Sequence, residues 1–508
     1  MNRISGLKKI IFLPFFFFLG LSVSLTAQQK GKKSRVEILN ADILKIDRVR
    51  ALRKLQGNVR LKHEDILLIC DSALVFDKSN VVEAYSNVTL NRGDTLFLYG
   101  DYIRYDGDTK KAVVTGNVHL KDKKTDLKTD RLEFDMENNI GYYLTGGVIT
   151  SEDNRIESRE GYYHSNTKEY FYKGNVKVET SDYTITSDTM RYDPDEDITW
   201  FYGPTKIISD SVSIFCERGW YNLKKDISKF SVHAFMQTHE HSVRGDTLFY
   251  DKHRGYGTAD GNVEMLDTVQ KVVLYGNKAV YWEKPERSMI TDSALFVQYS
   301  AEGDSLYLHA DTLRSFTDTA GYRMLTAFFG VRIYSKDMQG ACDSLSYSFA
   351  DSVIRMFGSP VLWSGENQMT AKTIYLFTRG RNIDHFEMIT DAMIISRYDS
   401  VHFNQIKGKN MTGYFRDNHL YRIDVNGNGQ SIYYPDDQGE IIGYNKVECS
   451  NIIIWVKDNK IRKIVMLKQP SGTLDPPPQT FTEDQKLKGF IWLDARRPRS
   501  KRDVFSEK

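Results

Sequence analysis

The chain has 508 residues and a formal net charge of +2, with 41% hydrophobic and 27% charged residues. This is an ordinary globular composition, long enough for several compact domains or one array of repeats. The near-neutral charge argues against nucleic-acid binding, which needs a clustered basic surface. The 30 tyrosines and 27 phenylalanines, against only 11 prolines, favour β-structure.

The first predicted element is an export signal. Arg3, Lys8 and Lys9 form a basic start, and an apolar run follows over residues 10–25. Ala27 suits a cleavage position, so we predict a signal peptide over residues 1–27. Leu25 would stand at the −3 position of the cleavage site, where a small residue is usual. An uncleaved anchor is therefore the alternative. No later run is long enough to span a membrane as a helix. We therefore expect an exported protein that is soluble or peripheral to a membrane.

A repeat follows the signal. The tripeptide Gly-Asn-Val begins at Gly57, Gly116, Gly174 and Gly261, at intervals of 59, 58 and 87 residues. These intervals are close to two, two and three times a period of about 29 residues, which marks a repeat architecture. A glycine that recurs between apolar residues predicts positive φ, or a bulge where a strand bends. We therefore predict a structural corner at each of the four glycines.

A second phrase lies between the corners, with an acidic residue followed by two apolar residues spaced two apart. It reads GDYIRYD at 100–106 and TDRLEFD at 129–135, and polar turns follow it. Alternation of this kind is typical of β-strands. The alternate apolar side chains are the candidates for an interior lining: Leu74, Phe76, Ile103, Tyr105, Val118, Leu120, Leu132, Phe134, Val176, Val178, Met190, Tyr192, Leu248, Tyr250 and Val263.

The repeats divide the chain into regions. About 13 units extend from about residue 36 to residue 467. They are regular over residues 28–277 and less regular over residues 278–468. Residues 469–508 contain the stretch PSGTLDPPPQ and the basic run RRPRSKR, which predict a disordered, solvated tail. A docking segment or a membrane-surface patch is the alternative for this tail.

The four cysteines occupy nearly the same place in the repeat. Cys70, Cys216, Cys342 and Cys449 lie more than 100 residues apart. Stacked repeats would hold them farther apart than the roughly 7 Å that a disulfide spans between Cα atoms. This pattern predicts buried thiols in preference to disulfides or metal ligands.

Other chemistry-bearing groups give weak signals. His233, His239 and His241 lack a third ligand at a defined spacing, which favours an exposed loop over a metal site. An aspartate recurs once per repeat, which indicates a structural role because an active site does not repeat with the fold; these residues are Asp101, Asp130, Asp188, Asp246 and Asp343. We predict no enzymatic activity, no metal and no cofactor.

These β units, each with an Asp-led strand and a Gly-Asn-Val corner, resemble the OstA-like family. Its relatives include LptA and the N-terminal periplasmic domain of LptD, and the phrases are strongest from Leu55 to Val263. The resemblance implies an all-β, elongated two-sheet β-jellyroll, or β-taco, whose V-shaped interior holds lipopolysaccharide acyl chains. It also implies two kinds of partner: lipopolysaccharide or a similar lipid, and other lipopolysaccharide-transport components stacked end to end through strand edges.

The resulting expectation is a non-enzymatic periplasmic bridge that carries lipopolysaccharide, or a related lipid, toward the outer membrane and supports its assembly. An exported scaffold or adhesin-like array with a closed core is one alternative, because any two-sheet array needs the same core. A carbohydrate-active β-helix is another, and it would need acidic residues confined to a few adjacent repeats. Open strand edges would also permit self-association. An open apolar seam favours the lipid role, and a filled interior favours the scaffold.

Overall fold

The computed structural model describes residues 35–63, 66–92, 96–121, 125–151, 154–269, 271–299, 305–379, 382–416, 419–457, 460–476 and 482–506. The predicted signal peptide, residues 1–27, lies outside the described residues. Within them the chain forms β-strands and three short 3-10 turns, with no α-helix. The predicted all-β class is therefore confirmed. No helix in the described part is long and apolar enough to cross a membrane.

The chain divides into two compact units. Unit 1 contains the described residues up to His239 together with Gly245–His253, and unit 2 contains Glu240–Arg244 together with the described residues from Arg254 onward. This division lies before residue 278, where the repeat becomes less regular in the sequence. The less regular region is therefore a part of unit 2.

The strands of unit 1 are β1 (Glu37–Asn40), β2 (Ile43–Asp47), β3 (Leu52–His63), β4 (Ile66–Phe76), β5 (Val81–Arg92), β6 (Leu96–Asp106), β7 (Lys111–Lys121), β8 (Thr125–Asp135), β9 (Ile140–Tyr143), β10 (Gly147–Ser151), β11 (Asn154–Ser158), β12 (Glu160–His164), β13 (Glu169–Thr180), β14 (Tyr183–Asp193), β15 (Ile198–Ser209), β16 (Ser213–Asn222) and β17 (Ile227–Gln237). The division between the units falls within β18 (His241–Asp251).

The strands of unit 2 are β19 (Tyr256–Asp267), β20 (Val272–Trp282), β21 (Arg287–Gln298), β22 (Leu306–Thr317), β23 (Arg323–Tyr334), β24 (Gln339–Ser348), β25 (Val353–Phe357), β26 (Val361–Ser364), β27 (Asn367–Thr370), β28 (Thr373–Arg379), β29 (Asn382–Arg397), β30 (Phe403–Arg416), β31 (His419–Tyr433), β32 (Asp436–Asp437), β33 (Glu440–Ile441), β34 (Tyr444–Lys457), β35 (Lys460–Leu467) and β36 (Ser471–Asp475). The 3-10 turns are Glu483–Gln485, Asp494–Arg496 and Asp503–Phe505.

Within each unit the long strands pair antiparallel with their neighbours in the chain. Ile103 of β6 lies opposite Ala84 of β5 and Val114 of β7. The turn that follows β6 is closed by Asp106, whose carboxylate accepts the backbone N–H groups of Asp108 and Thr109 at 3.0 Å each. Asp favours such turns because its side chain can bond the backbone two residues on. One sequence repeat therefore corresponds to two strands.

Each long strand bends near its middle, at a corner that divides it into two limbs. In β7, Gly116 and Asn117 stand together opposite the single residue Asp130 of β8. Both have positive φ, +77° for the glycine and 47° for the asparagine. This is a β-bulge, which bends the strand that carries the extra residue. The other corner glycines have φ of +76° at Gly57, +75° at Gly174 and +74° at Gly261.

The core of unit 1 lies between the two limbs. Val114 and Val118 flank the corner of β7, and both belong to the same buried apolar cluster. In β6 the buried apolar side chains are Leu98 on one limb and Ile103 on the other, which stand an odd number of positions apart along the strand. Even-numbered residues of this strand therefore point inward before the corner, and odd-numbered residues point inward after it. Such a change is expected where a strand leaves one sheet and enters a facing one.

The C-terminal segment is ordered where the structure describes it, which corrects the predicted disordered tail at residues 469–508. Strand β36 pairs with β34, so the sheet of unit 2 continues through SGTLD. Residues 482–506, which we call the strap, then pack against unit 2. The side chain of Leu487 is 4% exposed in an apolar cluster with Ile395 and Ile432. Order arises because apolar side chains are buried there and backbone groups find partners in unit 2.

Candidate functional site

An apolar pocket of about 40 Å³, partly open to solvent, lies in unit 1. Its lining consists of leucine, isoleucine, phenylalanine, glycine and tyrosine: Leu120, Leu127, Leu132, Phe134, Gly141, Tyr142, Tyr143, Ile149, Gly161, Tyr162, Tyr163, Tyr170 and Tyr172. None of these side chains carries a charge near neutral pH, because tyrosine ionises only near pH 10. The pocket therefore suits a hydrocarbon group.

The pocket lies where two long strands are replaced by four short ones. One limb of β8 pairs with β10 and the other limb pairs with β9. The same separation holds for β11 and β12, which pair with opposite limbs of β13. The limbs thus belong to two distinct sheets at this place, and the pocket lies between them. Short strands with interrupted corners leave space that a continuous pair of strands would fill.

Tyr143 forms one wall of the pocket. Its ring lies over Gly147 and Gly161, where the Cβ atom of any other residue would overlap the ring carbons. Its hydroxyl group lies 2.6 Å from Ser158 Oγ, and the side chain is buried. Burial raises the pKa of Tyr143 to about 12, so the phenol stays neutral. The two glycines therefore determine where this ring lies.

Tyrosines also form the margin of the pocket. Tyr142 donates its hydroxyl hydrogen to Glu133 Oε2 over 2.8 Å, and this bond is the main reason that its pKa rises to about 12. The ring of Tyr142 stacks on that of Tyr162, with centroids 5.8 Å apart. The rings of Tyr163 and Tyr170 are 4.7 Å apart. A tyrosine offers an apolar ring and a polar tip, which suits the boundary between a greasy interior and water.

The structure brings some of the predicted interior residues together and separates others. Leu120, Leu132 and Phe134 line the pocket. Other predicted residues occupy inward positions of unit 1 and are buried or half-buried there. These are Ile103, Tyr105, Val118, Val176, Val178, Met190, Tyr192, Leu248 and Tyr250. Val263 is buried in unit 2.

Two predicted residues face the wrong way. Leu74 lies opposite the polar pair Lys54 and Glu83, whereas its neighbour Ala73 is buried opposite Leu55. Phe76 shares the face of Leu74, because alternate residues of a strand share a face. The phrase CDSALVFD has one residue more between its acidic residues than GDYIRYD does. Counted from the first aspartate, Asp71, the residues two and four positions on are Ala73 and Val75, and these are the inward residues.

The pocket tyrosines were missed in the sequence. They lie in the phrases GYYL at 141–144 and GYYHSNTKEYFYKG at 161–174, which depart from the alternating pattern. A local excess of tyrosine beside glycine was the available signal. It was not recognised because tyrosine is frequent throughout this chain.

Away from the pocket the interior of unit 1 is closely packed. Leu55 is 0% exposed, and Ile103 and Val114 are each 1% exposed. These side chains belong to one buried apolar cluster. The described part of unit 1 is therefore a two-sheet interior with a local gap at the pocket.

The recurring aspartates lie at the corners. The carboxylate of Asp101 accepts a hydrogen bond of 2.8 Å from Asn117 Nδ2. A Cβ atom on Gly203 would lie 2.9 Å from Cβ of Asp188, and one on Gly358 would overlap Cβ of Asp343. These aspartates thus occupy equivalent structural positions beside a corner residue of the next strand.

The remaining polar candidates are dispersed. His233 Nδ1 lies 2.8 Å from Glu217 Oε1, and His241 belongs to unit 2. Among the described residues no group of three potential ligands could hold a metal ion. The four cysteines are free thiols, with three of them buried and Cys449 half-buried.

Residues 33–188 match the sequence profile of a family described as OstA-like protein. This segment, which we call the OstA-like segment, is therefore similar to that family. The resemblance predicted from the corners and the Asp-led strands is thereby confirmed for the part of the chain that contains the first three Gly-Asn-Val corners. The OstA-like segment also contains every residue of the pocket lining.

A solved structure that resembles the chain is LptH from Pseudomonas aeruginosa, described as the LptA homologous periplasmic component of the conserved lipopolysaccharide transport device. The two share 13% sequence identity, and the alignment covers 23% of this chain and 82% of LptH with a TM-score of 0.21. No curated protein matches the chain.

Proposed function

We propose that the protein binds the acyl chains of lipopolysaccharide, or of a related lipid, in the interior of unit 1. In this role it is a non-enzymatic component of the periplasm that carries the lipid toward the outer membrane. The observation that carries the proposal is an apolar pocket between the limbs of an OstA-like segment, lined by Leu120, Leu132 and Phe134.

The energetics of apolar transfer support this role. Burying one methylene group is worth roughly 0.8 kcal/mol, so a chain of about 14 carbons gains on the order of 10 kcal/mol when fully buried. The strands of unit 1 hydrogen-bond along each sheet, and the two limbs meet through apolar side chains such as Val114 and Val118. Parting the limbs beside the pocket therefore exchanges apolar contacts between side chains for apolar contacts with the lipid.

The second candidate function is a closed scaffold. The low exposure of Leu55, Ile103 and Val114 favours it, because their interior is filled by the protein itself. The two candidates differ in what they predict for the pocket. A carrier takes up hydrocarbon there, whereas a scaffold keeps its interior unchanged in the presence of lipid.

Site-specific photocrosslinking in cells tests the proposal. A photoreactive residue at Leu132, inside the pocket, should form a covalent adduct with lipopolysaccharide or a related lipid. The same residue at Lys128, exposed on the outer face of the same strand, is the matched control and should form none. Leu132→Asp should abolish crosslinking from a second pocket position, Phe134. Equal adducts at both positions, or none at Leu132 in a folded protein, would contradict the carrier role.

The same experiment addresses export and partners. Mass analysis of the purified protein reports whether residues 1–27 have been removed, as expected for a periplasmic protein. Crosslinks from the strand at the start of unit 1, β2, report which proteins stack against that edge. We expect another lipopolysaccharide-transport component there, and a second copy of this chain would indicate self-association instead.

A further inference from the structure

The strap lies along a row of side chains that crosses unit 2. Successive members of the row are directly opposite one another on adjacent strands: Gln339, Trp363, Gln368, Ile395, Gln405 and Ile432. The row therefore alternates between a glutamine and an apolar residue. All six side chains are buried.

This row lies on the outer face of its limb. A Cβ atom on Gly340, the neighbour of Gln339, would contact Leu362 and also Met356 of the other limb. Gly340 therefore faces the interior between the limbs, and Gln339 faces away from it. In unit 1 the outer face carries charged, exposed side chains such as Lys62 and Lys128. Unit 2 has an apolar outer face where unit 1 has a solvated one.

Two of the glutamines bind the backbone of the strap in the same way. Gln405 donates Nε2–H to the carbonyl oxygen of Gln485 over 2.7 Å, and its Oε1 accepts the N–H of Leu487 over 2.8 Å. Gln368 donates to the carbonyl oxygen of Ile491 over 2.7 Å and accepts the N–H of Leu493 over 2.6 Å. Each amide thus pairs with the backbone of residues i and i+2, and the second pair follows six residues after the first.

The third glutamine is bound through an arginine. Arg497 donates from Nε and Nη2 to Gln339 Oε1 over 2.8 and 2.6 Å, and from Nη1 to the carbonyl oxygen of Gly365 over 2.8 Å. Beyond it, the ring of Phe505 lies 4.7 Å from that of His309. The contacts of the strap therefore extend from β31 back to β22.

Apolar side chains of the strap fill the spaces between the glutamines. Leu487 packs into a cluster with Ile395 and Ile432, and Leu493 packs against Trp363. The ring of Trp492 lies 5.2 Å from that of Phe403. The strap thus matches the row in two ways. Its backbone hydrogen-bonds to the glutamines, and its apolar side chains pack against the apolar residues of the row.

We propose that this outer face is a peptide-binding site that recognises main-chain amides, and that the strap is its ligand, held as a separable segment. The chemistry of the row selects the ligand class. Each buried glutamine amide needs both an acceptor and a donor, and a buried amide left without them is costly. A hydrocarbon chain supplies neither group, whereas a peptide supplies both at every second residue. The strap therefore covers an apolar surface that unit 2 would otherwise present to other proteins.

The experiment uses the full chain. A specific protease sequence is inserted between Asp475 and Thr482, and the folded protein is cut there. We expect the released segment to stay bound one to one, as measured by size-exclusion chromatography and native mass spectrometry. A labelled synthetic peptide of residues 482–506 should then exchange into the cut protein and saturate. A segment that leaves as soon as it is cut would overturn the proposal.

Modified peptides test the recognition of the backbone. N-methylation at both Leu487 and Leu493 removes the two N–H donors to the glutamines and leaves every side chain in place. It should weaken exchange about 100-fold, because each change leaves a buried carbonyl oxygen without its donor. N-methylation at Lys501, an exposed residue, is the control and should have little effect. Equal binding by the two modified peptides would overturn the assignment.

Two further arms complete the test. Gln368→Ala combined with Gln405→Ala should release the cut strap, whereas Gln430→Ala should not, since Gln430 donates instead to Glu448 over 2.8 Å. Myristate added in place of the peptide should leave the strap bound. Displacement of the strap by myristate would make this face a lipid site and overturn the peptide class. Because the peptide arms need no substitution in the protein, they remain decisive even if the glutamine variants fail to fold.

Discussion

Asn117 donates its side-chain amide to the carboxylate of Asp101 over 2.8 Å, from the corner of one strand to the neighbouring strand. The same contact joins Asn58 to Asp42 and Asn87 to Asp71, and in each pair the residues are 16 positions apart. The recurring asparagine and the recurring aspartate in the sequence are therefore two halves of one structural device. It holds adjacent corners in line and places the bend of each strand beside the next.

We predict that Gly116→Ala destabilises unit 1 more than Gly146→Ala does. Both glycines have positive φ, +77° and +96°, so alanine is strained at either position. At Gly116 the new Cβ atom would also lie 2.5 Å from Asp101 Oδ2, while nothing lies within 4 Å at Gly146. We expect a loss of about 1–2 kcal/mol at Gly146 from backbone strain, and about 1–3 kcal/mol more at Gly116 from overpacking. Urea unfolding measures both, and equal losses would refute the role of the overlap.

We predict that Asp135 stabilises the fold fully above about pH 4 and loses this contribution as the pH falls toward about 2. Its carboxylate accepts hydrogen bonds from the backbone N–H and side chain of Asn138, and Lys111 Nζ lies 3.1 Å away. These contacts, led by the backbone bond, lower its pKa from 3.8 to about 2. A carboxyl group whose pKa is lower in the folded state contributes stability above its unfolded pKa and loses it as the pH falls through the folded pKa.

The test compares the wild type with Asp135→Asn, which does not titrate. The difference in unfolding free energy between the two should be constant above pH 4 and should shrink as the pH falls from about 4 to about 2. Chemical denaturation at several pH values measures it. A difference that stays constant through that interval would show that this carboxylate contributes nothing.

We predict that three of the cysteines resist alkylation in the folded protein. Burial raises the pKa of Cys70 to about 11 and that of Cys216 and Cys342 to about 12. The thiolate is the reactive form, so these groups should stay unlabelled at pH 8. Cys449 is half-buried and should react first. Peptide mass analysis after iodoacetamide treatment measures each site, with a urea-unfolded control in which all four react. Labelling of Cys216 as fast as Cys449 would contradict the buried environment.

We predict that Gly161→Ala disturbs the pocket more than Gly141→Ala does. The added Cβ atom at position 161 would overlap the ring of Tyr143, whereas at position 141 it would lie 3.3 Å from the ring of Phe134. We expect Gly161→Ala to cost about 1–3 kcal/mol, as overpacking does, and Gly141→Ala to cost less. Thermal unfolding reports the cost. Binding of a fluorescent fatty acid reports the pocket, and it should fall only for Gly161→Ala. Identical behaviour of the two variants would show that the position of the Tyr143 ring is unimportant.

Much of the fold followed from local patterns. The Gly-Asn corners, the Asp-led turns and the alternation of residues such as Ile103 and Tyr105 are each encoded within a few residues. The face of the sheet on which a side chain lies was harder to predict, because one extra residue in a strand reverses it. Leu74 and Phe76 were predicted to face the interior, whereas Ala73 and Val75 are the inward residues. The inward positions are counted from the aspartate at the corner, and this became clear only from the strand pairing.

The sequence indicated that some strands of unit 2 are covered on both faces, but it did not indicate that the strap is what covers them. Residues 361–363 and 392–395 are apolar without alternation, which is typical of strands buried on both faces. The Pro-rich and basic composition of the last 40 or so residues was read as disorder by itself. Gln368 and Gln405 pair with residues 80 or more positions away. No local pattern links such distant partners.

The sequence by itself determined the period of the strands, the bends at the four Gly-Asn-Val corners and the all-β class, because positive φ at Gly-Asn and the turns at aspartate are properties of short stretches of backbone. Only the tertiary structure decided where the two limbs leave a gap, which tyrosines line it, and that the C-terminal segment closes the outer face of unit 2. Those features depend on contacts between residues far apart in the chain, where packing and the pairing of buried amides decide the outcome.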